Sequence, residues 1–175
     1  VEEVRLEMLV DQHNLRAVLE AMKRAHPYEE VAFDVYPLDN VYPGTGMGAI
    51  GTLRKPLTLP AFLRQIRAKL KTGPMRHTRA VTPRIRTVAV CGGAGTDLLQ
   101  EAVAAGADAF VTADVRYHAF RDAAGVIALI DAGHYETEFP VVDAVTRYLR
   151  NALRASHPRV GVDAATTRTS PIVIV

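Results

Sequence analysis

A histidine and a glutamate four residues apart, His134 and Glu138, lie where an apolar, strand-like run gives way to a helix. The run ends in Asp131-Ala-Gly-His134, and a helix is predicted to start near Pro140. An imidazole and a carboxylate with this spacing can converge on one divalent cation. A catalytic zinc usually has three protein ligands and a structural zinc has four. The pair therefore predicts only part of a metal site.

The same spacing also has a purely structural interpretation. His134 could stand at the start of a helix, with a carboxylate in the first turn stabilised by the helix dipole. Glu136 could compete with Glu138 as the ligand. The spacing by itself leaves the ligand set open.

A second pair with the same spacing, Asp114 and His118, follows the apolar run 109–112. Asp114 could simply cap the next helix, and His118 could be a surface imidazole. However, the loops that follow parallel strands meet at one edge of a sheet, where α/β proteins bind their ligands. We therefore expect the loops that carry Asp114 and His134 to converge.

A third loop, Cys91-Gly-Gly-Ala-Gly95, also follows an apolar run and precedes a predicted helix. Its backbone N–H groups could face a phosphate, or its glycines could simply allow a tight turn. It lacks the G-x-G-x-x-G spacing of dinucleotide-binding loops and the Lys-Ser/Thr of a P-loop. Cys91 has no neighbouring base in sequence and is interpreted as a small core residue.

Alternating strands and helices must position these loops. The pattern predicts an α/β fold with a mixed, mainly parallel sheet and flanking helices. We predict strands at residues 4–10, 31–38, 76–81, 87–91, 109–112, 126–131 and 172–175. We predict helices at residues 14–25, 58–71, 97–105, 117–124 and 141–155.

The N-terminal part differs from the rest in its pattern. Its predicted strand, helix and strand form a β-α-β unit that resembles half of a ferredoxin-like α+β domain. A turn-rich segment at 39–43 follows it and is the best candidate boundary. We therefore predict two domains, residues 1–42 and 43–175.

Composition limits the classes of partner. The chain has 175 residues, of which 49% are hydrophobic, and its net charge of +2 is dispersed. Binding to nucleic acid or to an anionic membrane would need clustered basic residues, so neither is indicated. One cysteine excludes an internal disulfide, and no apolar run reaches about 18 residues. We expect a cytoplasmic protein, and the missing initiator Met suggests a trimmed or partial chain.

Several segments together resemble the Nif-three-like family of dinuclear-metal proteins, often labelled GTP cyclohydrolase I type 2 homologues. The resemblance covers most of the chain in order and spacing. The segments are residues 26–38, 46–51, 88–93, 106–114 with 117–118, and 130–138. Ala49 and Ala113 depart from it, because the family usually has Arg and Gly there.

The resemblance implies two divalent metal ions, Zn, Fe or Mn, with His134 and Glu138 as ligands. Glu138 matches the family's glutamate and Glu136 does not. The other ligands in that family, two histidines and an aspartate, come from an N-terminal half with no counterpart in this chain. The first 40 or so residues look like the end of an inserted domain, and the family's hexamers imply a homo-oligomer.

Two functions are consistent with these observations. The first is a metal-dependent hydrolase that acts on a phosphate-bearing or nucleotide-like small molecule, with Asp114 and His118 as acid–base groups or as partners of the ligands. The second is a non-catalytic regulatory or assembly protein with a metal-binding cavity. In either case the metal site in this chain is expected to be incomplete.

Overall fold

Five strands form one sheet at the centre of the C-terminal part of the chain. The computed structural model describes residues 4–38, 44–167 and 169–172. The strands are β1 (Ala49–Leu57), β2 (Arg76–His77), β3 (Ile85–Val90), β4 (Ala109–Thr112) and β5 (Ala128–Asp131). Their order in the sheet is β1-β3-β4-β5-β2.

The three central strands of this sheet are parallel. β3 pairs with β4, and β4 pairs with β5, so that Thr112 stands beside Asp131. The two edge strands, β1 and β2, run antiparallel to their neighbours. The carboxyl ends of β3, β4 and β5 therefore lie at one edge of the sheet, as the sequence predicts.

Helices cover both faces of the central strands. Helix α2 (Leu59–Leu70) buries Phe62 and Ile66 against one face, and α3 (Leu99–Ala104) and α4 (Tyr117–Ala123) cover the other. Alternate strand residues supply the two cores, since Ile130 faces the first and Leu129 the second. Burying one such side chain stabilises the fold by about 1.5–3 kcal/mol.

The remaining helices bury no side chain completely. They are α1 (Leu15–Ala25), α5 (His134–Glu138) and α6 (Pro140–Ser156). Residues 12–14 and 96–98 form single turns of 3-10 helix. Among the described residues, no helix is both long enough and apolar enough to cross a membrane.

Contacts divide the chain into two compact units, Val1–Pro43 and Gly44–Val175. In the first unit the helix is present, but the strands predicted at 4–10 and 31–38 are wrong, because neither segment is a strand. Alternation of apolar and polar residues indicates a strand only where a partner strand supplies hydrogen bonds. Neither segment pairs with a strand in the described residues, and the ferredoxin-like assignment stays a prediction by resemblance.

Strand β1 was missed in the sequence. It contains Gly51 and Pro56, and both residue types are uncommon inside strands. As an edge strand, β1 accommodates the proline within the stretch between Thr52 and Leu57, where its register with β3 is irregular. The predicted strand at 172–175 falls largely outside the described residues.

Candidate metal centre

The loops after β4 and β5 bring Asp114 and His134 together. Asp114 follows β4 by two residues and has a positive φ of 52°. His134 is the first residue of α5, after Gly133 with a φ of 89°. Such φ values turn each chain sharply at the strand end. The two side chains consequently meet although they are 20 residues apart in sequence.

His134 and Asp114 form a hydrogen bond that defines the histidine tautomer. The Nδ1 atom of His134 lies 2.7 Å from Oδ2 of Asp114. An ionised carboxylate can only accept, so Nδ1–H must be the donor. In a neutral imidazole this leaves the lone pair on Nε2. A carboxylate that orients a histidine in this way is the usual support of a histidine metal ligand.

The Nε2 atom of His134 faces Glu138 from the next turn of α5. The distance from Nε2 to Oε1 of Glu138 is 3.2 Å. Two donors held about 2.1 Å from one cation are separated by about 3.0 Å at a right angle and about 3.4 Å at a tetrahedral angle. The observed separation falls between these values, so the pair fits the coordination of one divalent cation.

Gly93 leaves the space around this pair open. A Cβ atom at Gly93 would lie 2.5 Å from Oε1 of Glu138 and 3.2 Å from Nε2 of His134. Its φ of 63° is also a conformation that side chains other than glycine rarely adopt. The glycine loop thus approaches the two side chains with backbone alone, which fits the tight-turn interpretation of that loop.

Hydrogen bonds fix the glycine loop against its neighbours. The hydroxyl of the buried Thr112 donates to the Gly93 carbonyl at 3.0 Å and accepts the Gly95 N–H at 2.9 Å. The Gly93 N–H donates to Oγ1 of Thr137 at 3.0 Å. Because Thr137 stands between His134 and Glu138 in the sequence, the loop and α5 are connected directly beside the ligand pair.

The charges around His134 change its acidity. The hydrogen bond to Asp114 raises the pKa of His134 above the ordinary histidine value, partial burial opposes this, and the Glu138 carboxylate adds to the rise. All three side chains are about half exposed, at 41% for His134, 53% for Asp114 and 55% for Glu138. A positive charge is therefore favoured between two carboxylates, and a proton would compete with a metal ion for Nε2.

Two other predicted candidates take different places. His118 is exposed on α4, and its ring meets that of Tyr117 edge-on with centroids 5.9 Å apart. Among the described residues no hydrogen bond or ion pair joins His118 to Asp114, His134 or Glu138. The Glu136 carboxylate lies against Gly133. Its role and that of His118 stay predictions.

The candidate pair His134 and Glu138 does not form a complete metal site in the part of the chain that the structure describes. No cluster of three or more His, Cys, Asp or Glu side chains there has an arrangement that could hold a metal ion. The alternative role considered for Asp114, as the cap of α4, is not observed, because the N-cap of that helix is Arg116. These residues provide two candidate ligands and one carboxylate that orients the candidate histidine.

Sequence reasoning missed the polar residues that support the site. Asp131 was quoted only as part of a loop, and Thr112 and Thr137 were not singled out. Each forms a hydrogen bond to a residue between 19 and 55 positions away in sequence, which no local spacing reveals. The available signal was the presence of an Asp and a Thr at the ends of otherwise apolar strands.

Comparison with known proteins shows which family the chain is similar to. The Duf34/NIF3 (NGG1p interacting factor 3) profile matches residues 6–171. A Bacillus subtilis protein named GTP cyclohydrolase 1 type 2 homolog is 34% identical over 98% of this chain and 46% of its own length. A Mycobacterium leprae protein of the same name is 39% identical over 98% of this chain and 45% of its own length.

Solved structures agree with these sequence matches. The crystal structure of a Bacillus cereus protein related to NIF3 has a TM-score of 0.75 at 35% identity, covering 95% of this chain and 46% of that one. A Staphylococcus aureus protein has a TM-score of 0.78 at 28% identity, covering 95% and 47%. The chain thus spans about half the length of the relatives it matches. It belongs to the Duf34/NIF3 (NGG1p interacting factor 3) family.

Proposed function

We propose that this chain is the C-terminal part of a dinuclear metal-binding protein and contributes His134 and Glu138 as metal ligands. The observation that carries the proposal is the 3.2 Å separation of Nε2 and Oε1, with Asp114 holding the opposite nitrogen of the same imidazole. The relatives are about twice as long as the match. The remaining ligands would come from the additional length.

The activity that this site supports best is metal-dependent hydrolysis of a phosphate-bearing or nucleotide-like small molecule. When bound, a pair of divalent ions supplies positive charge for a phosphate group and lowers the pKa of a water molecule. The imidazole chemistry favours zinc over manganese, with iron between them. The donor set supports the choice of metal, and the relatives' name, GTP cyclohydrolase 1 type 2 homolog, supports a nucleotide-like substrate.

The residues of this chain would have different roles in the site. His134 and Glu138 hold metal, and Asp114 keeps the histidine in the tautomer that presents a lone pair at Nε2. Gly93 keeps backbone rather than side chain beside the pair, which leaves room for a ligand. His118, exposed on the helix after Asp114, is available to exchange protons with a substrate.

The test is the metal content of the proposed longer protein, measured by elemental mass spectrometry. We expect two divalent ions per chain in the wild type and the loss of at least one in His134→Ala. His157→Ala is the matched control, because His157 is exposed, lies just beyond the end of α6 and contacts Ser156. A content below one ion per chain that His134→Ala leaves unchanged contradicts the proposal.

The 175-residue chain alone should bind metal weakly and show no turnover, since it holds two ligands. Calorimetric titration with Zn²⁺ or Mn²⁺ checks this. Nanomolar affinity would show that the chain already contains a complete site, against the proposed division of ligands.

A non-catalytic assembly role is the second candidate. It is favoured by the first unit, in which α1 buries no residue and Val4, Leu6 and Leu9 are more than 80% exposed. Light scattering with and without residues 1–40 discriminates between the two functions. An assembly module should change its oligomeric state on deletion, whereas a passive appendage should not.

A further inference from the structure

A carboxylate outside the proposed ligand set, that of Asp131, lies beneath the loops that carry the site. Asp131 is the last residue of β5, and its side chain is only 10% exposed. Its Oδ2 accepts the backbone N–H of Val115 at 3.2 Å, and its Oδ1 accepts that of Gly133 at 3.3 Å. Val115 follows Asp114, and Gly133 precedes His134. One side chain thus joins the two loops at the residues adjacent to the site.

Arg76 on the neighbouring edge strand β2 completes this arrangement. Its guanidinium forms an ion pair with Oδ2 of Asp131 and donates to the carbonyl of Val115 at 3.0 Å. The guanidinium also lies over the ring of Phe120, 5.4 Å from its centroid. A carboxylate this buried needs a partner charge and a full set of donors to remain ionised, and Arg76 with the two backbone groups supplies them.

The contacts of Arg76 and Asp131 hold the two loops in place and do not themselves reach His134 or Glu138. Ala132, between Asp131 and Gly133, donates to the Thr112 carbonyl at 2.9 Å and accepts the Thr72 hydroxyl at 2.8 Å. The loop after β5 is therefore held from both sides up to the residue before His134. A shift of either loop would separate Nδ1 of His134 from Asp114.

We propose that Asp131 and Arg76 are positioning residues of the metal site: they hold the loops after β4 and β5 so that Asp114 and His134 stay within hydrogen-bonding distance. The proposal rests on the proposed function for its metal readout only. It predicts that breaking the ion pair between Arg76 and Asp131 weakens the hydrogen bond between His134 and Asp114 even in metal-free protein. Residues that orient a metal ligand typically change metal affinity 10- to 100-fold when they are replaced.

The test uses the 175-residue chain with the substitutions Asp131→Asn, Arg76→Gln and Arg76→Lys. Asparagine keeps the size of the side chain but replaces one acceptor oxygen by an NH₂ group that faces Arg76 or a backbone N–H. Lysine keeps the charge but lacks the planar guanidinium, so Arg76→Lys should cause only part of the loss that Arg76→Gln causes. Asp163→Asn is the matched control, because Asp163 pairs with Arg150 at 3.1 Å on the surface.

Two quantities are measured for each variant. The first is the exchange rate of the His134 Nδ1–H proton in metal-free protein, by NMR. The second is the affinity for Zn²⁺ of the proposed longer protein with the same substitutions, by calorimetry. We expect Asp131→Asn and Arg76→Gln to speed exchange at least tenfold and to weaken Zn²⁺ binding 10- to 100-fold, with wild-type values for Asp163→Asn.

A double-mutant cycle separates positioning from a general loss of structure. In a His134→Ala background, Asp131→Asn should change the affinity for Zn²⁺ by less than twofold. If it weakens Zn²⁺ binding equally in both backgrounds, or leaves the proton exchange of wild-type His134 unchanged, the proposal is overturned. Arg76→Gln, at an edge strand with a 66% exposed side chain, serves if Asp131→Asn does not fold.

Failure of the proposed function is a different result. If the wild-type chain and the longer protein bind no metal, the ligand assignment fails. The exchange rate of the Nδ1–H proton still decides the positioning proposal, because it is measured without metal.

Discussion

The strand ends that carry the candidate site and the helix α6 are adjacent in sequence but differ in how they are stabilised. The loops after β4 and β5 are held by buried polar groups, Thr112 and Asp131, and by core strands on both sides. Helix α6 buries no residue, and one of its faces exposes apolar side chains at helical spacing: Val141, Val145, Tyr148 and Leu149. The site's geometry therefore comes from the sheet, whereas α6 has an apolar face that the described residues leave uncovered.

The two regions differ in whether the contacts that stabilise them lie within this chain. The hydrogen bonds that hold the two loops do, so they can be tested on the chain as it stands. The exposed face of α6, together with a length about half that of the relatives, is what one expects if further chain packs there in the proposed longer protein. Substitutions in the two regions should therefore have unequal consequences.

The largest contrast is expected between the core beneath the site and α6. Ile130 is fully buried in β5. Its replacement by alanine should lower the free energy of unfolding by about 2–5 kcal/mol, because the cavity left behind cannot collapse completely. Val145 is 47% exposed on α6, and alanine there should change stability by no more than about 0.5 kcal/mol.

Urea denaturation of the 175-residue chain measures both variants. Losses of similar size at the two positions would mean that α6 is packed as firmly as the sheet, and the comparison would fail.

A smaller effect is expected from glycine to alanine substitutions in two turns. Gly93 and Gly106 have similar positive φ values of 63° and 73°, so alanine at either should cost about 1 kcal/mol of unfolding free energy. A Cβ at Gly106 meets nothing within 4 Å, whereas one at Gly93 meets the carboxylate of Glu138.

The matched pair separates backbone strain from crowding of the site. In the proposed longer protein, Gly93→Ala should therefore weaken Zn²⁺ binding at least tenfold, and Gly106→Ala should leave it unchanged, as measured by calorimetry. Equal affinities in the two variants would show that the space beside Glu138 has no part in metal binding.

The smallest effect on stability concerns the charge on His134. The folded state raises the pKa of His134, mainly through the hydrogen bond to Asp114. The pair therefore stabilises the fold at pH values below the ordinary histidine pKa, and this contribution is lost as the pH rises through the raised pKa. Because His134 is 41% exposed, solvent screening keeps the contribution small.

NMR titration of the metal-free chain checks this. Asp114→Asn should lower the pKa of His134 more than Glu138→Gln does, since the Asp114 hydrogen bond is the larger cause. If Glu138→Gln has the larger effect, the hydrogen bond to Asp114 is not the main cause of the raised pKa of His134.

The sequence predicts the elements that carry the site better than the elements at its margins. The strand 109–112 and the helix 117–124 are confirmed almost to the residue, because apolar runs bounded by polar residues mark a buried strand clearly. The strands at 4–10 and 31–38 were wrong and β1 was missed. Whether such a segment forms a strand depends on pairing with a distant strand, and local alternation does not reveal that pairing.

The site shows the same division between local and distant information. Asp114, His134 and Glu138 could be selected from their types and spacing. The bond between Asp114 and His134 depends on both loops turning at positive φ, and the ion pair between Arg76 and Asp131 joins residues 55 positions apart. The first relation depends on the register of β4 and β5 and the second on that of β2 and β5, which only the folded sheet defines.

The most direct test of the metal assignment is anomalous diffraction from crystals of the proposed longer protein grown with Zn²⁺. We predict an anomalous peak about 2.0–2.2 Å from both Nε2 of His134 and a carboxylate oxygen of Glu138, with Asp114 still bound to Nδ1. A peak coordinated by other residues, or no peak near His134 at a Zn²⁺ concentration that saturates binding in solution, would contradict the account.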